Sequence, residues 1–372
     1  MTRYRLILIS LFVLILACAP AWAGQAPKNV ILMIGDGMGL AQVTLARLSL
    51  DESSRPLDMD SMRCAGFVKT HAANATITDS AAAGTALATG FKTNNGMIST
   101  LPDGTSVETI LEAAAKIGKA TGLVTTVTIT HATPASFGAH VESRKGEADI
   151  APQYLDKKID VLLGGGRMFF IPKLREQSKR EDERDLLAEA SSAGYEVVDT
   201  REALLSAKGS KLLGLFQMGP LNTEPPEPTL AEMAEKAIAA LSADKDGFFL
   251  MVEGGQIDWR CHNNDAPGSV KQVFDFDGAI GKALDFARRR GDTLVVVTAD
   301  HETGGLTINY PDKDSSARFK TVWTTKGHSG CNVPLFADGP GADSFGGVLD
   351  NTDVPKRIAQ LWGIAGFAVT SR

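Results

Sequence analysis

Cysteine, positive charge and long apolar runs are all scarce in this sequence. The 372 residues include only 4 cysteines, too few for a small scaffold held together by disulfides. Acidic residues (44) outnumber lysine and arginine (38), which argues against nucleic acid as a partner. Hydrophobic residues make up 44% and charged residues 22%, a balance that excludes a disordered chain and is typical of globular proteins.

The first 23 residues are typical of a secretory signal peptide. Arg3 and Arg5 precede an apolar stretch over 6–17, and Ala21-Trp22-Ala23 forms an A-x-A cleavage site. This apolar core of about 12 residues is shorter than the roughly 20 that span a bilayer. We expect cleavage after Ala23, a periplasmic or secreted protein and no permanent membrane span. Lipidation at Cys18 is the less favoured alternative, because the residues before it fit a lipoprotein signal poorly.

We expect the remaining chain, 24–372, to form a single domain. Without residues 1–23, which hold two arginines and no acids, 36 basic residues face 44 acidic ones, a formal net charge of −8. Three cysteines remain, Cys64, Cys261 and Cys331. At most one disulfide can form among them, and the sequence leaves open which two cysteines would pair.

Apolar runs rich in β-branched residues alternate with amphipathic stretches along the chain. Continuous apolar strands suit a parallel sheet that is buried on both faces. The predicted strands are 29–34, 66–70, 121–127, 159–163, 195–198, 248–252 and 293–298. The predicted helices are 107–117, 181–193, 230–241, 270–290 and 354–362. This alternation predicts a doubly wound α/β sandwich with a mostly parallel sheet, whose ligand site lies beyond the carboxyl ends of the strands.

The first predicted strand ends in a glycine-rich turn that contains Asp36. Its glycines, Gly35, Gly37 and Gly39, allow a tight turn that leaves the carboxylate at the strand end, where it can bind a cation. A plain turn is the simpler interpretation of this segment alone. The glycine spacing does not match G-x-G-x-x-G, which disfavours a dinucleotide site.

Asp79 and Ser80 precede an alanine-rich segment that is predicted to be helical. An aspartate N-cap explains the pattern by itself. A functional interpretation is compatible with it, because a serine at a helix N-terminus stands where free N–H groups and the helix dipole favour a phosphate.

Two further polar segments follow predicted strands. The first contains His131 and Thr133, with Arg144 further on, and an arginine fork fits phosphate with two parallel hydrogen bonds. The second contains Asp258 and His262, four residues apart, which places both on one face of a helical turn and suits a single metal ion. Glu253 directly follows the strand that leads into this second segment.

The last two segments are Asp300-His301-Glu302-Thr303-Gly304-Gly305 and a glycine turn around His328. The chain has only six histidines, and His262, His301 and His328 lie beside carboxylates or in glycine turns. Each of them alone is explained by a structural hydrogen bond. Together, so many Asp and His side chains at strand ends exceed what one metal ion needs and indicate a two-metal site.

In order and spacing, the six segments resemble the alkaline phosphatase family from position 29 to about 334. Asp-Ser-Ala, Glu-Gly-x-x-Ile-Asp-x-x-x-His and Asp-His-x-Thr-Gly-Gly in this order are the specific signal. The resemblance implies an alkaline phosphatase-like, three-layer α/β sandwich and a metal-dependent phosphomonoesterase that releases inorganic phosphate. It implies Ser80 as the phosphorylated nucleophile and Arg144 as the residue that binds phosphate.

The resemblance also implies a ligand set for each of three metal ions. Two of the ions are expected to be zinc and the third magnesium. The implied sets are Asp258, His262 and His328 for the first zinc, Asp36, Asp300 and His301 for the second, and Asp36, Thr133 and Glu253 for the magnesium. Two further histidines, His71 and His140, are interpreted as structural.

Two positions depart from the best-known bacterial members of the family, which carry aspartate in place of His131 and lysine in place of Trp259. Other members carry histidine and tryptophan there, so the family resemblance holds while the identity of the third metal stays open. We take His131 and Trp259 as candidates for residues that lie beside the ligands without binding metal. The segment between His301 and His328 is short, which leaves open whether the chain forms a homodimer.

Two alternative functions stay open at this point. A phosphodiesterase of the same superfamily shares paired Asp and His ligands, although Arg144, Thr133 and Glu253 favour monoesters. A sulfatase is disfavoured because Ser80 lacks the Ser-x-Pro-x-Arg context. A phosphate- or metal-binding protein without catalysis requires a missing nucleophile or ligand, and none is missing here.

Overall fold

A ten-stranded, mostly parallel sheet forms the centre of the molecule in the computed structural model, which describes residues 26–50, 55–313, 315 and 317–369. Its strands are β1 (Asn29–Gly35), β2 (Cys64–Lys69), β3 (Ala120–Thr128), β4 (Val161–Gly165), β5 (Glu196–Val198), β6 (Leu212–Leu215), β7 (Phe248–Gly254), β8 (Thr293–Thr298), β13 (Val333–Asp338) and β14 (Gly347–Asp350). Across the sheet they lie in the order β14-β2-β13-β8-β1-β7-β3-β4-β6-β5. Among them only β13 runs antiparallel to its neighbours.

Two small antiparallel pairs lie outside this sheet. The first joins β9 (Glu302–Thr303) to β12 (His328–Ser329), and the second joins β10 (Leu306–Asn309) to β11 (Lys320–Trp323). The β9–β12 pair places Thr303 opposite His328 and Glu302 opposite Ser329. It therefore brings two histidine-bearing segments together.

The strands at the centre of the sheet are apolar because helices cover both of their faces. Every residue of β1, β3, β7 and β8 is buried. Ile31 of β1 pairs with Leu250 of β7 on one side and Val295 of β8 on the other. These strands were predictable from apolar runs alone, and the doubly wound α/β fold is confirmed.

Eleven helices are present in the described part of the chain. They are α1 (Leu40–Ser49), α2 (Ser80–Thr89), α3 (Ile110–Lys116), α4 (Ala132–Gly138), α5 (Glu147–Asp156), α6 (Leu186–Ser192), α7 (Arg201–Ser206), α8 (Leu230–Leu241), α9 (Gln256–His262), α10 (Ala266–Arg290) and α11 (Asp353–Leu361). One set, α1, α8 and α10, packs together, and so does a second set, α2, α3, α4 and α11. Both sets flank the central sheet.

Helix ends follow local capping chemistry more closely than the hydrophobic pattern. The helix predicted over 107–117 begins after Thr109, whose side chain forms a capping box with Glu112. The helix predicted over 181–193 is shorter and begins after Asp185, which accepts from the Ala188 N–H. A capping side chain accepts a hydrogen bond from a free N–H group of the first turn and so stabilises a helix that starts directly after it. The capping residues therefore determine where these two helices begin.

The predictions for the N-terminus and the cysteines have different outcomes. The signal peptide, its cleavage after Ala23 and Cys18 lie outside the described residues. No helix in the described ranges is long and apolar enough to cross a membrane. Cys64, Cys261 and Cys331 are all free thiols in the structure.

Truncation of Ile31 tests the central sheet. Ile31→Ala removes a fully buried side chain from β1, and we expect the free energy of unfolding to fall by about 2–5 kcal/mol because a cavity is left. Leu174→Ala, at a side chain that is 86% exposed, is the control and should change stability by less than about 0.5 kcal/mol. Urea unfolding of the chelated variants measures both. Equal midpoints for the two variants would contradict the packing described here.

Candidate active site

The polar residues singled out in the sequence converge at the carboxyl ends of three adjacent strands, β7, β1 and β8. Asp36 directly follows β1, Glu253 lies at the end of β7, and Asp300 follows β8 after one residue. Because these strands are parallel neighbours, their carboxyl ends meet at one edge of the sheet. All three carboxylates are fully buried.

The turn after β1 needs glycine at position 37. Gly37 has φ +71°, and a Cβ there would lie 2.8 Å from the Cα of Asp258. Its N–H donates to Asp300 Oδ1 at 3.1 Å. The turn therefore connects the end of β1 to the carboxylate that follows β8.

A first ligand group consists of Asp258 and His262 on α9 and His328 on β12, with potential ligand atoms within 4.8 Å of one another. Asp258 Oδ2 is 3.2 Å from His262 Nε2, and the Nε2 atoms of His262 and His328 are 3.3 Å apart. The hydrogen bond to Asp258 raises the pKa of His262 to about 9. Burial disfavours the charge on Asp258, but hydrogen bonds from His262 and Thr303 outweigh it and lower the pKa of Asp258.

A second group consists of Asp36, Asp300 and His301, all fully buried. His301 Nε2 lies 3.1 Å from Asp300 Oδ2 and 3.5 Å from Asp36 Oδ1. Burial, followed by repulsion from neighbouring carboxylates, raises the pKa of Asp36 and raises that of Asp300 to about 6. Burial lowers the pKa of His301 to about 3.

A third group shares Asp36 with the second and adds Glu253 and His131. The Thr125 hydroxyl donates to Glu253 Oε2 at 2.5 Å, and burial raises the pKa of Glu253 to about 7. Thr133, in the first turn of α4, is also fully buried. The sequence patterns did not place His131 among the metal ligands, but in the structure its ring lies near the carboxylates of Asp36 and Glu253.

Ser80 is the first residue of α2 and is only 2% exposed. Its Oγ lies 3.2 Å from His301 Nε2, which places the hydroxyl beside the second group. Asp79 caps the helix by accepting from the Ala82 N–H at 3.0 Å. The N-cap interpretation is therefore correct, and it places the serine hydroxyl at the positive end of the helix dipole.

Arg144 is joined to Ser80 through the same cap. Its Nη1 donates to Asp79 Oδ2 at 3.0 Å, and its Nη2 lies 3.2 Å from His131 Nε2. Its backbone N–H donates to the Gly96 carbonyl at 2.7 Å. Trp259 completes this side of the site, with its ring edge-on to His131 at 6.3 Å between centroids.

Several buried oxygens in the site have no hydrogen-bond partner among the residues that the structure describes. They are both carboxylate oxygens of Asp36, Glu253 Oε1, Asp300 Oδ2 and Thr133 Oγ1. An unpaired buried carboxylate is costly unless a cation or a donor reaches it. The donor set, with histidine nitrogens in two groups and oxygens dominating the third, fits bound cations.

Two hydroxyls in the site were not singled out as functional from the sequence. Thr125 contacts Glu253, and Thr303 contacts both Asp258 and His301. Thr303 stands inside the Asp-His-x-Thr segment, so its spacing after His301 was the available signal. His140 lies outside the three groups, where its ring contacts the Ser99 carbonyl and Glu112.

Comparison with known proteins agrees with this geometry. The family model for alkaline phosphatase matches residues 27–320. Alkaline phosphatase 3 of Bacillus subtilis (strain 168) is 38% identical, and the alignment covers 89% of this chain and 88% of that protein. The alkaline phosphatase from the Antarctic bacterium TAB5 is 35% identical with a TM-score of 0.83, covering 91% of this chain and 99% of that one.

Two further structures similar to this chain are variants of the TAB5 enzyme. In one a histidine is replaced by aspartate and in the other by glutamate, and both have Mg bound in the M3 site. Each is 35% identical with a TM-score of 0.81 and covers 91% of this chain and 98% of its own. From the family match and these relatives, the chain belongs to the alkaline phosphatase family and is a phosphoric monoester hydrolase.

Proposed function

We propose that this enzyme hydrolyses phosphate monoesters through a phosphoserine intermediate on Ser80 and releases inorganic phosphate. The observation that carries the proposal is the position of the Ser80 hydroxyl, at the N-terminus of α2 and 3.2 Å from His301 Nε2. The free N–H groups and dipole of the helix favour a phosphoryl group at that point. Arg144, held by Asp79 beside the same helix end, retains donors for the phosphoryl oxygens.

We assign the three groups to three ions. Asp258, His262 and His328 would hold one zinc, and Asp36, Asp300 and His301 a second. A third ion, magnesium, would be held by Asp36, Thr133 and Glu253. When bound, these ions would lower the pKa of the Ser80 hydroxyl, stabilise the leaving oxygen and activate water.

His131 also reaches the third group, so the identity of the third ion depends on that residue. An imidazole nitrogen is a poor ligand for magnesium, which prefers oxygen. The TAB5 variants with Mg carry aspartate or glutamate in place of a histidine. By analogy, a carboxylate at position 131 would strengthen magnesium binding in this chain.

Three wider proposals rest on the sequence. Residues 1–23 would direct export, giving a periplasmic or secreted enzyme, and 24–372 would form one catalytic domain. The enzyme would act on small phosphate monoesters rather than nucleic acid or diesters.

Replacement of the nucleophile tests the mechanism. Ser80→Ala should lower the turnover of p-nitrophenyl phosphate by at least about 10³-fold, because the substitution removes the attacking oxygen. The matched control is Ser269→Ala, which removes another buried serine at the start of a helix, and should retain activity. Turnover is measured with zinc and magnesium and again after chelation, and mass spectrometry of acid-quenched enzyme should find phosphate on Ser80.

Three outcomes would contradict this proposal. Full activity after chelation would favour a metal-independent Ser80–His301 pair. Wild-type activity in Ser80→Ala would show that Ser80 is not the nucleophile. A faster rate on bis(p-nitrophenyl) phosphate than on the monoester would favour a phosphodiesterase.

The third group is tested by His131→Asp. We expect the variant to retain more magnesium after dialysis than the wild type does, because an oxygen ligand replaces nitrogen beside Asp36 and Glu253. Elemental analysis measures the magnesium, and His140→Asp, outside the three groups, is the control. An unchanged magnesium content would show that the residue at position 131 does not influence binding of the third ion.

Removal of metal should make stability depend on pH in a defined direction. In the metal-free chain the pKa is raised to about 6 for Asp300 and about 7 for Glu253, above the ordinary values near 4. A carboxyl whose folded pKa is raised loses stability as the pH rises through that pKa. His262, with a pKa raised to about 9, likewise contributes stability that is lost as the pH rises toward 9.

We therefore expect the urea midpoint of the chelated protein to fall between pH 6.5 and pH 8. Below pH 6.5 the lowered pKa values of His131 and His301, each about 3, give an opposing rise in stability with pH. Zinc and magnesium should remove most of this fall, because the cations compensate the ionised carboxylates. Glu253→Gln should make the fall smaller in the chelated protein. A midpoint that is constant or rises over this range would show that the carboxylates do not repel one another in the folded state.

A further inference from the structure

One hydroxyl, that of Thr303, touches a member of the first group and a member of the second. Its Oγ1 donates to Asp258 Oδ1 at 2.5 Å and lies 3.2 Å from His301 Nδ1. The side chain is fully buried. Its position after His301 places it on β9, opposite His328 of β12.

The proton count at this hydroxyl determines the direction of both hydrogen bonds. A threonine hydroxyl has one proton to donate, and an ionised carboxylate can only accept. The proton of Thr303 is therefore directed to Asp258, and an Oγ1 lone pair faces His301. A hydrogen bond to that lone pair requires a proton on His301 Nδ1.

A proton on Nδ1 makes Nε2 the free nitrogen of a neutral His301 ring. Nε2 is the atom that faces Asp36 Oδ1 and Asp300 Oδ2. A histidine that binds a metal must be neutral, with the lone pair of the ligating nitrogen directed at the ion. A hydrogen bond from the N–H of the other ring nitrogen selects that tautomer. Thr303 thus presents the correct nitrogen to the second group while it orients a carboxylate of the first.

The surrounding backbone holds the hydroxyl in this place. The Thr303 N–H donates to the Gly37 carbonyl at 3.2 Å. A Cβ on Gly37 would lie 2.9 Å from Thr303 Oγ1, so glycine at position 37 also leaves room for the hydroxyl. The turn after β1, helix α9 and the β9–β12 pair therefore meet at one side chain.

We propose that Thr303 is a positioning residue that couples the two zinc sites, by orienting Asp258 in one and selecting the ligating nitrogen of His301 in the other. The inference rests on the proposed function of the two groups as zinc sites. Its consequence is that loss of one hydroxyl weakens zinc binding in both groups. A valine in its place keeps the shape but leaves Nδ1–H and Asp258 Oδ1 without this partner.

The experiment compares three variants of the full chain. Thr303→Val removes the hydroxyl, and Thr303→Ser retains it. Thr293→Val is the matched control, because Thr293 is equally buried and lies at the end of β8 that is remote from the site. Its Oγ1 likewise accepts a hydrogen bond from an N–H of the Asn29 side chain and donates one to the Asp292 carboxylate. Zinc affinity is measured by competition with a chromophoric chelator.

The same proteins, labelled with ¹⁵N-histidine and loaded with zinc, are examined by NMR for the His301 Nδ1 proton. That signal is assigned by its loss in His301→Gln. We expect Thr303→Val to lower zinc affinity at both sites by about 10–100-fold and to lose the hydrogen-bonded proton signal. Thr303→Ser should restore most of the affinity together with the signal, and Thr293→Val should match the wild type in both.

The outcomes separate this inference from the proposed function. A wild-type chain that binds no zinc overturns the zinc assignment, and the inference with it. Zinc binding by the wild type with unchanged affinity and proton signal in Thr303→Val overturns the inference alone. Failure of serine to restore affinity, or an equal loss in Thr293→Val, also overturns it, since the effect would then come from general destabilisation.

Discussion

The structure depends on the confinement of four carboxylates, Asp36, Glu253, Asp258 and Asp300, in one buried volume at the edge of the central sheet. Ionised carboxylates repel one another, and burial makes each charge more costly. Burial raises the pKa values of Asp36, Glu253 and Asp300, whereas Asp258, which contacts His262 and Thr303, has a lowered pKa. Cations resolve this repulsion, which is why metal binding and folding stability are expected to be linked.

The parallel sheet makes this concentration of charge achievable. Neighbouring strands β7, β1 and β8 deliver one carboxylate each at the same edge, and their apolar residues bury the strands on both sides. Ser80, at the start of α2, and Arg144, in the turn before α5, are the residues proposed to bind phosphate, and both lie beside the same edge. Asp79 joins them, since it caps the helix of Ser80 and also holds Arg144.

Much of the fold could be predicted from the sequence. Strands β1, β3, β7 and β8 are continuous apolar runs, because both of their faces are covered. Strands β6, β13 and β14 were not predicted. β14 lies at an edge of the sheet, with Val348 63% exposed, so it lacks the continuous apolar run of a central strand. β13 contains Pro334, and a proline inside an apolar run argues against a strand when only the sequence is read. The start of α6 was also misplaced, because Asp185 caps the helix later than the apolar pattern suggested.

By itself the sequence determined the fold class, the family and the chemically active residue types, because apolar periodicity and ordered motifs are local properties of the chain. Only the tertiary structure decided which residues meet. It brought His131 to Asp36 and Glu253, placed Ser80 beside His301, and set Thr303 between His301 and Asp258. Apart from the Thr303–His301 contact, these contacts join segments far apart in the sequence, and the direction of a threonine hydroxyl depends on neighbours that no local pattern encodes.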